Sequence, residues 1–438
     1  MSSNAAPASA ATISRRRFLE TSAAVAALPL IGGRVARAGS LEKLNIAVVG
    51  TQNQAAWNIA QIGSENIVAL CDVDANHLAR AGARIPGATR YRDFRVMLEK
   101  EKSVDAVLVA APDHVHAPAA AMALRQGRHV YCEKPLAHTV EETRTLARLA
   151  AEQGVATQMG TQIHAGANYR RVVELIRSGA IGPVREAHVW CGKSWSNGRF
   201  RSAPVPDHLD WDLWQGPAPA RPYSAGVHPG NWRRFWDYGT GTLGDMGCHY
   251  IDLVFWALAL RHPTAVQTFG PAVHEVGTPR SLLVEWSFPA RGKQPPVTMR
   301  WYDGGLRPSI LSALRNADGS PFQWGDGQLF VGDKGMLIAD YGRYRLLPEH
   351  VFEGFQPPPP SIADSVGHHR EWIDACKTGS PTTCNFDDSG ALTESVLLGN
   401  VAFRCGERIE WDGENLRVTN VNAAASLVSK PRRPGWPV

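Results

Sequence analysis

Asp245 and His249 stand four residues apart, just after the glycine-rich run Gly239-Thr-Gly-Thr-Leu-Gly244. On a helix such a pair shares one face, a turn apart. A carboxylate placed there would orient the imidazole and raise its pKa, which suits a group that takes and returns the proton of a carbinol near neutral pH. The plainer alternatives are a helix cap for Asp245 and a satisfied core position for His249. Asp252, three residues on, also opens a metal reading of the trio, one that hydride-transfer chemistry does not need. A second candidate is Lys134, in Tyr131-Cys132-Glu133-Lys134-Pro135 at the end of an apolar run. A third is the loop Gly50-Thr51-Gln52-Asn53-Gln54-Ala55. A dinucleotide fingerprint needs glycine first for a tight turn, glycine second so that backbone can approach a pyrophosphate, and glycine or alanine third for helix packing. Positions one and three comply, and Gln52 replaces the second glycine. Asp72, about 22 residues after Gly50, stands where an acid accepts both ribose hydroxyls of NAD and repels a 2′-phosphate.

These groups need a scaffold that gathers strand ends. Apolar runs at Leu44–Gly50, Asn66–Asp72, Asp105–Ala111, His129–Cys132 and Val155–Met159 alternate with helical stretches near 55–62, 116–126 and 140–152. Continuous apolar strands between amphipathic helices specify a parallel sheet covered on both faces, a doubly wound α/β nucleotide-binding architecture whose ligands meet the carboxyl ends of the strands. After about residue 165 the pattern changes. A helix near 169–178 precedes segments that alternate like half-buried strands, at 185–190, 282–288 and 297–301, which predict a C-terminal α+β domain with a large, mostly antiparallel sheet. Tail helices near 366–377 and 388–404 follow the stiff run Pro357–Pro360.

With Ala111-Pro112-Asp113-His114-Val115-His116, Met159-Gly-Thr-Gln162, Ile181-Gly182 and His368-His-Arg-Glu-Trp-Ile-Asp374, these motifs resemble the glucose–fructose oxidoreductase, inositol dehydrogenase and rhizopine-catabolism (Gfo/Idh/MocA) family over about Leu44 to Asp412. The resemblance implies an NAD-dependent enzyme acting on CH–OH groups, with NADP disfavoured by Asp72. It implies that Lys134 projects between nicotinamide and substrate, and that Asp245 and His249 join it around the reacting carbon. Lys134 would polarise the reacting oxygen, His249 would be general acid/base, and Asp245 would orient it. The expected cofactor contacts are Gly50, Gln52, Asn53, Ala55, Asp72, Pro112, His116, Glu133, Lys134 and Pro135. A metal role for the pair His114 and His116 is set aside in favour of lining or capping, and no metal is expected.

Trp195, Trp211, Trp214, Trp232 and Trp236 fall in one irregular stretch, interleaved with Asn197, Arg199, His228, Asn231, Arg233 and Arg234. Flat apolar faces beside hydrogen-bonding groups suit a sugar, with ring C–H faces and hydroxyl edges. The competing use for such tryptophans is to staple a long loop onto the sheet. Gln162, His164, Trp232 and Arg233 are the expected substrate contacts.

Ser14-Arg15-Arg16-Arg17-Phe18-Leu19, an apolar run from about Ala23 to Gly33 and Ala36-Arg37-Ala38 have the order of a signal peptide, and the arginine pair resembles a twin-arginine signal, which exports folded proteins. The formal charge of +5 owes much to five arginines in this leader, so the remaining chain is near neutral and has no net electrostatic attraction to nucleic acid. No later run reaches the roughly 20 apolar residues of a bilayer span, and no membrane anchor is expected. Seven scattered cysteines read as small buried hydrophobes. The expected divisions are a leader at 1–38, an NAD-binding domain at 39–162, a substrate and oligomerisation domain at 163–425 and a tail at 426–438, with homo-oligomers implied by the family. The chain reads as a periplasmic or secreted oxidoreductase of a sugar, cyclitol or glycoside whose cofactor is exported bound and recycled. The alternatives are an oxidation–elimination–reduction glycosidase and a cofactor-free carbohydrate-binding protein on the same fold.

Overall fold

In the computed structural model, which describes residues 42–438, the apolar runs of the first half pair side by side. The leader lies outside the described residues. Strands β1 (Asn45–Val49), β2 (Asn66–Cys71), β3 (Thr89–Tyr91), β4 (Ala106–Val109), β5 (His129–Cys132) and β6 (Thr157–Met159) form one sheet in the order β3-β2-β1-β4-β5-β6. All five pairings are parallel. Helices α1 (Gln54–Gln61), α2 (Ala75–Arg84), α3 (Phe94–Lys100), α4 (Asp113–Arg125) and α5 (Val140–Gln153) make the connections. Strand order reverses between β1 and β4, and there the loops diverge to leave a crevice at the carboxyl ends. Strand β3 and helices α2 and α3 were not singled out from sequence: β3 is a three-residue edge strand, partly exposed, and carries no continuous apolar run.

The second sheet has nine strands. β7 (Val184–Trp190), β8 (Ala265–Phe269), β9 (Leu283–Phe288), β10 (Val297–Tyr302), β11 (Gly327–Gly332), β12 (Gly335–Ala339), β13 (Tyr344–Leu347), β14 (Ile409–Asp412) and β15 (Arg417–Val418) run in the order β13-β12-β11-β7-β10-β9-β8-β14-β15. Only β7 with β10 is parallel. Burial alternates along β9, as the period-two pattern requires of a sheet with one packed face. Helices α6 (Ala167–Arg177), α7 (Gly241–Leu258), α8 (His368–Thr378) and α9 (Phe386–Cys405) follow in chain order. α7 and α9 cover the sheet, and Trp286 of β9 donates its indole N–H to the Ser395 carbonyl of α9 at 2.8 Å.

Two segments depart from the expected divisions. Helix α8 returns to the first sheet, where Trp372, Ile373 and Cys376 are buried with Leu44, Ile46 and Tyr131. Its apolar stripe finds there a sheet face that the local helices leave open. The tail is held: Trp436 is buried against Phe94 with the Arg95 guanidinium 4.0 Å from its ring, and Arg95 donates to the Gly435 carbonyl at 3.0 Å. The seven cysteines are free thiols, six of them buried. Among the described residues no helix is long and apolar enough to cross a membrane.

Candidate active site

Because the six strands are parallel, the residues that follow β1, β2, β4, β5 and β6 emerge on one edge and line a cleft of about 550 Å³. Gly50 turns with φ +87°, and a Cβ there would stand 2.5 Å from the Ala110 carbonyl oxygen, so only glycine fits. The loop's next positive φ falls on Asn53, at 56°. Between them the Gln52 amide Nε2 is buried with no partner among the described residues. Asp72 accepts from the Thr51 N–H and hydroxyl at 3.0 and 2.8 Å and from the Asp74 N–H at 3.0 Å. A cradle without Cβ, an orphaned amide donor and a carboxylate held by exchangeable neutral donors fit the pyrophosphate and ribose of NAD. Pro112, His116 and Glu133 line the cleft; Ala55 and Pro135 do not. Ala55 is buried at the start of α1, in the packing position that its place in the loop predicts. The Pro135 carbonyl lies 2.8 Å from His116 Nδ1, while His116 Nε2 lies 2.8 Å from the Ala111 carbonyl, which laces the end of β4 to the end of β5.

Glu133 is fixed from both sides, accepting from Asn58 Nδ2 and Gln162 Nε2 at 2.9 Å each, and burial raises its pKa. Lys134 leaves the sheet in the opposite direction and reaches α7. Its Nζ donates to the Asp245 carbonyl oxygen at 2.6 Å and to Oδ1 at 2.7 Å. Asp245 also accepts from Arg233 Nε at 2.9 Å, Lys193 Nζ at 2.8 Å and the Trp195 indole at 2.6 Å. Burial alone would raise the Asp245 pKa; Lys134, Arg233 and Lys193 outweigh it and hold the carboxyl well below the usual range.

This arrangement overturns the expected relation between Asp245 and His249. The carboxylate is spent on three cations and an indole and makes no hydrogen bond to the imidazole. Burial, then the Lys134 charge, pushes the His249 pKa down to about 3 against the weaker upward pull of Asp245. His249 is therefore a neutral imidazole lining the cleft, its buried Nδ1 without a partner among the described residues. Asp245 positions Lys134.

Of the expected substrate contacts, Gln162, Trp232 and Arg233 line the cleft, and the Arg233 guanidinium lies 4.0 Å from the Trp232 ring. His164 does not. The 3-10 turn Gln162–Ala165 turns it away, so that its ring stacks on Trp256 at 3.9 Å and Nδ1 pairs with Asp252 at 2.8 Å in the interior. That pairing also removes Asp252 from any trio with Asp245 and His249. His114 is buried between the Tyr238 and Trp214 carbonyls at 3.1 and 2.9 Å, and burial pushes its pKa down to about 3, so it does not act with His116. Trp195 and Trp214 join Trp232 on the wall, whereas Trp211, stacked on Trp214 at 4.8 Å, staples the loop and Trp236 packs on Phe403. Lys193 was missed, although its place just past β7 is the same strand-end signal that marked Lys134. Trp436 also lines the cleft, and nothing in its local sequence announces this.

A doubly wound sheet with a dinucleotide cradle, joined to a large mixed sheet across one cleft, defines a two-domain nucleotide-dependent protein. The chain belongs to the Gfo/Idh/MocA oxidoreductase family: residues 44–161 match that family's NAD-binding Rossmann fold and residues 178–281 its C-terminal alpha/beta domain, together just over half of the chain. It is similar to dTDP-3,4-didehydro-2,6-dideoxy-alpha-D-glucose 3-reductase of Streptomyces violaceoruber, 40% identical over 24% of this chain and 31% of that protein. It is also similar to D-apiose dehydrogenase of Paraburkholderia graminis, 28% identical over 84% of this chain and 90% of that one. The match to the inositol 2-dehydrogenase of Rubrobacter xylanophilus, 28% identical over 33% of this chain, spans 42% of that protein. The fold is that of GenD2 from gentamicin A biosynthesis, solved in complex with NAD, with a TM-score of 0.56, 21% identity and coverage of 86% of this chain and 98% of that one.

Proposed function

We propose that this protein is an NAD-dependent oxidoreductase acting on a carbinol carbon of a sugar, cyclitol or glycoside, as the dehydrogenases and reductases it is similar to are named for. The observation that carries the reading is the Lys134–Asp245 pair, which sets one ammonium from the end of β5 against the first turns of α7, between the cofactor cradle and the tryptophan wall. NAD, when bound, supplies the hydride acceptor. Lys134 donates a hydrogen bond to the reacting oxygen and stabilises the charge that grows there. Asp245 fixes the ammonium's direction. His249, held neutral, has a free ring nitrogen to take the hydroxyl proton. Trp232 presents a flat face to the ring of the substrate and Arg233 a hydrogen-bonding edge.

Export with bound, recycled cofactor is part of the proposal. It is supported by the twin-arginine pattern of the leader and by the tail, whose Trp436 closes one wall of the cofactor cleft. The test is to denature purified protein and assay the released nucleotide, then to present a glycoside, or an oxidisable sugar or cyclitol paired with a reducible sugar that takes the hydride back, with and without added NAD. Bound NAD and product beyond one equivalent per chain without added nicotinamide are expected. Product only in proportion to added NAD overturns recycling, and no nucleotide together with no reduction of added NAD overturns the oxidoreductase reading in favour of a binding protein.

A further inference from the structure

Asp74 ends the turn after β2 and caps α2: its Oδ1 accepts from the Asn76 and His77 N–H groups at 2.8 and 3.1 Å, which fixes the carboxylate and aims Oδ2 in one direction. Three imidazoles converge on that single oxygen. His228 Nε2 lies 2.9 Å from it, and the Nε2 atoms of His77 and His208 lie 3.6 Å from it. The donors of Asp74, His77 and His228 all fall within 4.8 Å of one another. Ligands about 2.0–2.1 Å from a tetrahedral Zn²⁺ stand about 3.4 Å apart, so these separations bracket the edges of such a tetrahedron. His77 Nδ1 faces the Asp72 carboxylate at 3.8 Å, the outer-shell partner that orients metal-bound histidines.

The cluster is assembled across the fold. Asp74 and His77 belong to the first sheet's α2 connection, and His208 and His228 to the long loop of tryptophans. Backbone bonds already hold the two together: the Ala75 N–H donates to the His208 carbonyl at 2.8 Å, and the Asp210 N–H to the Val73 carbonyl at 3.0 Å. Asp74 is 2% exposed, while His77 and His228 face the cleft, which gives an ion a way in. The other histidine cluster, His164 with Asp252 and Cys384, is fully buried, and its imidazole already gives Nδ1 to Asp252.

We propose that Asp74, His77 and His228 form a three-ligand binding site for a divalent transition-metal ion of the Zn²⁺ class, with solvent in the fourth position, which clamps the tryptophan loop to the first domain beside the nucleotide end of the cleft. One carboxylate and two imidazoles match that ion's preference for nitrogen with a single anionic oxygen. The site is independent of the proposed activity, and its test needs no substrate. The full chain, stripped with a chelator and dialysed, is titrated with Zn²⁺ by calorimetry, with metal content and thermal unfolding read in parallel. Co²⁺ serves as a visible-absorbing stand-in. The expected result is one Zn²⁺ per chain, a raised Tm and a tetrahedral Co²⁺ spectrum. The double variant His77→Gln/His228→Gln should bind at least about 100-fold more weakly and show no metal-dependent rise above its own metal-free Tm. His164→Gln should bind as the native chain does. No stoichiometric Zn²⁺ in the native chain, equal binding in the double variant, or loss of binding in His164→Gln alone would overturn the site.

Discussion

Asp72, at the end of β2, and Asp245, on α7, face the same cleft, and their partners differ in kind. Asp72 is held by a hydroxyl and two backbone N–H groups, donors that ribose hydroxyls can replace or join without leaving a charge behind. Asp245 is held by two lysines, an arginine and an indole, with its side chain 5% exposed. The first is arranged to exchange partners with a ligand. The second is a hub that must not change, because removing it strands cations whose desolvation it offsets.

The largest effect should therefore come from Asp245→Asn. Lys134 is nearly buried and would lose its anion, so denaturant unfolding should show a loss of roughly 3 kcal/mol, the lower end for breaking a buried ion pair, since Lys193 is half-exposed and screened. Turnover should fall as well. A neutral effect on stability would mean that Asp245 is not a hub. Next come the groups at the reacting carbon: Lys134→Met and His249→Ala should each lower kcat by roughly 10²-fold or more while leaving NAD affinity within a few-fold. Full turnover in both would break the assignment of the reacting end.

Acidity separates the two roles of His249. Its pKa of about 3 keeps the imidazole unprotonated at every pH above that value, so the pH profile of kcat/KM should show no break near 6.5. Stability behaves otherwise. The unfolded chain takes up protons as pH falls below 6.5, whereas buried His114, His249 and His368, each pushed down to about 3, do not. Stability present above 6.5 should thus be lost progressively as pH falls toward 3, by up to about 1.4 kcal/mol per pH unit for each such histidine. A Tm that is flat from pH 7.5 to 5 would contradict this.

The nucleotide end should give smaller changes. Asp72→Ala should narrow the preference for NAD over NADP by about 10-fold, measured by fluorescence titration, since it removes one repelling charge and two ribose acceptors. Gln52→Gly should weaken NAD binding only about 3-fold, the worth of a single amide hydrogen bond. Tighter binding in that variant would show that Gln52 obstructs the pyrophosphate instead of bonding to it.

The residues legible in sequence were those whose role depends on the turn they sit in. Gly50, Asp72 and Lys134 each end an apolar strand, and parallel pairing alone brings strand ends to one edge. The partners of Asp245 were not legible, because Lys193, Trp195 and Arg233 come from a long loop whose path is set by packing. Helical spacing placed Asp245 and His249 on one face but could not say that three cations would compete for the carboxylate and leave the imidazole neutral. His164 was misplaced for a related reason: one 3-10 turn sends Gln162 into the cleft and His164 into the interior.

By itself the sequence determined the alternation of strands and helices, the glycine at the tight turn and the candidate lysine, since these follow from local sterics and from periodic burial. Only the tertiary structure decided that α8 completes the first domain, that Trp436 returns to the cofactor wall, and that three imidazoles from two distant segments surround one oxygen of Asp74. Those outcomes depend on which apolar face finds which uncovered surface, and on the balance of burial against charge at a point. No local pattern encodes either.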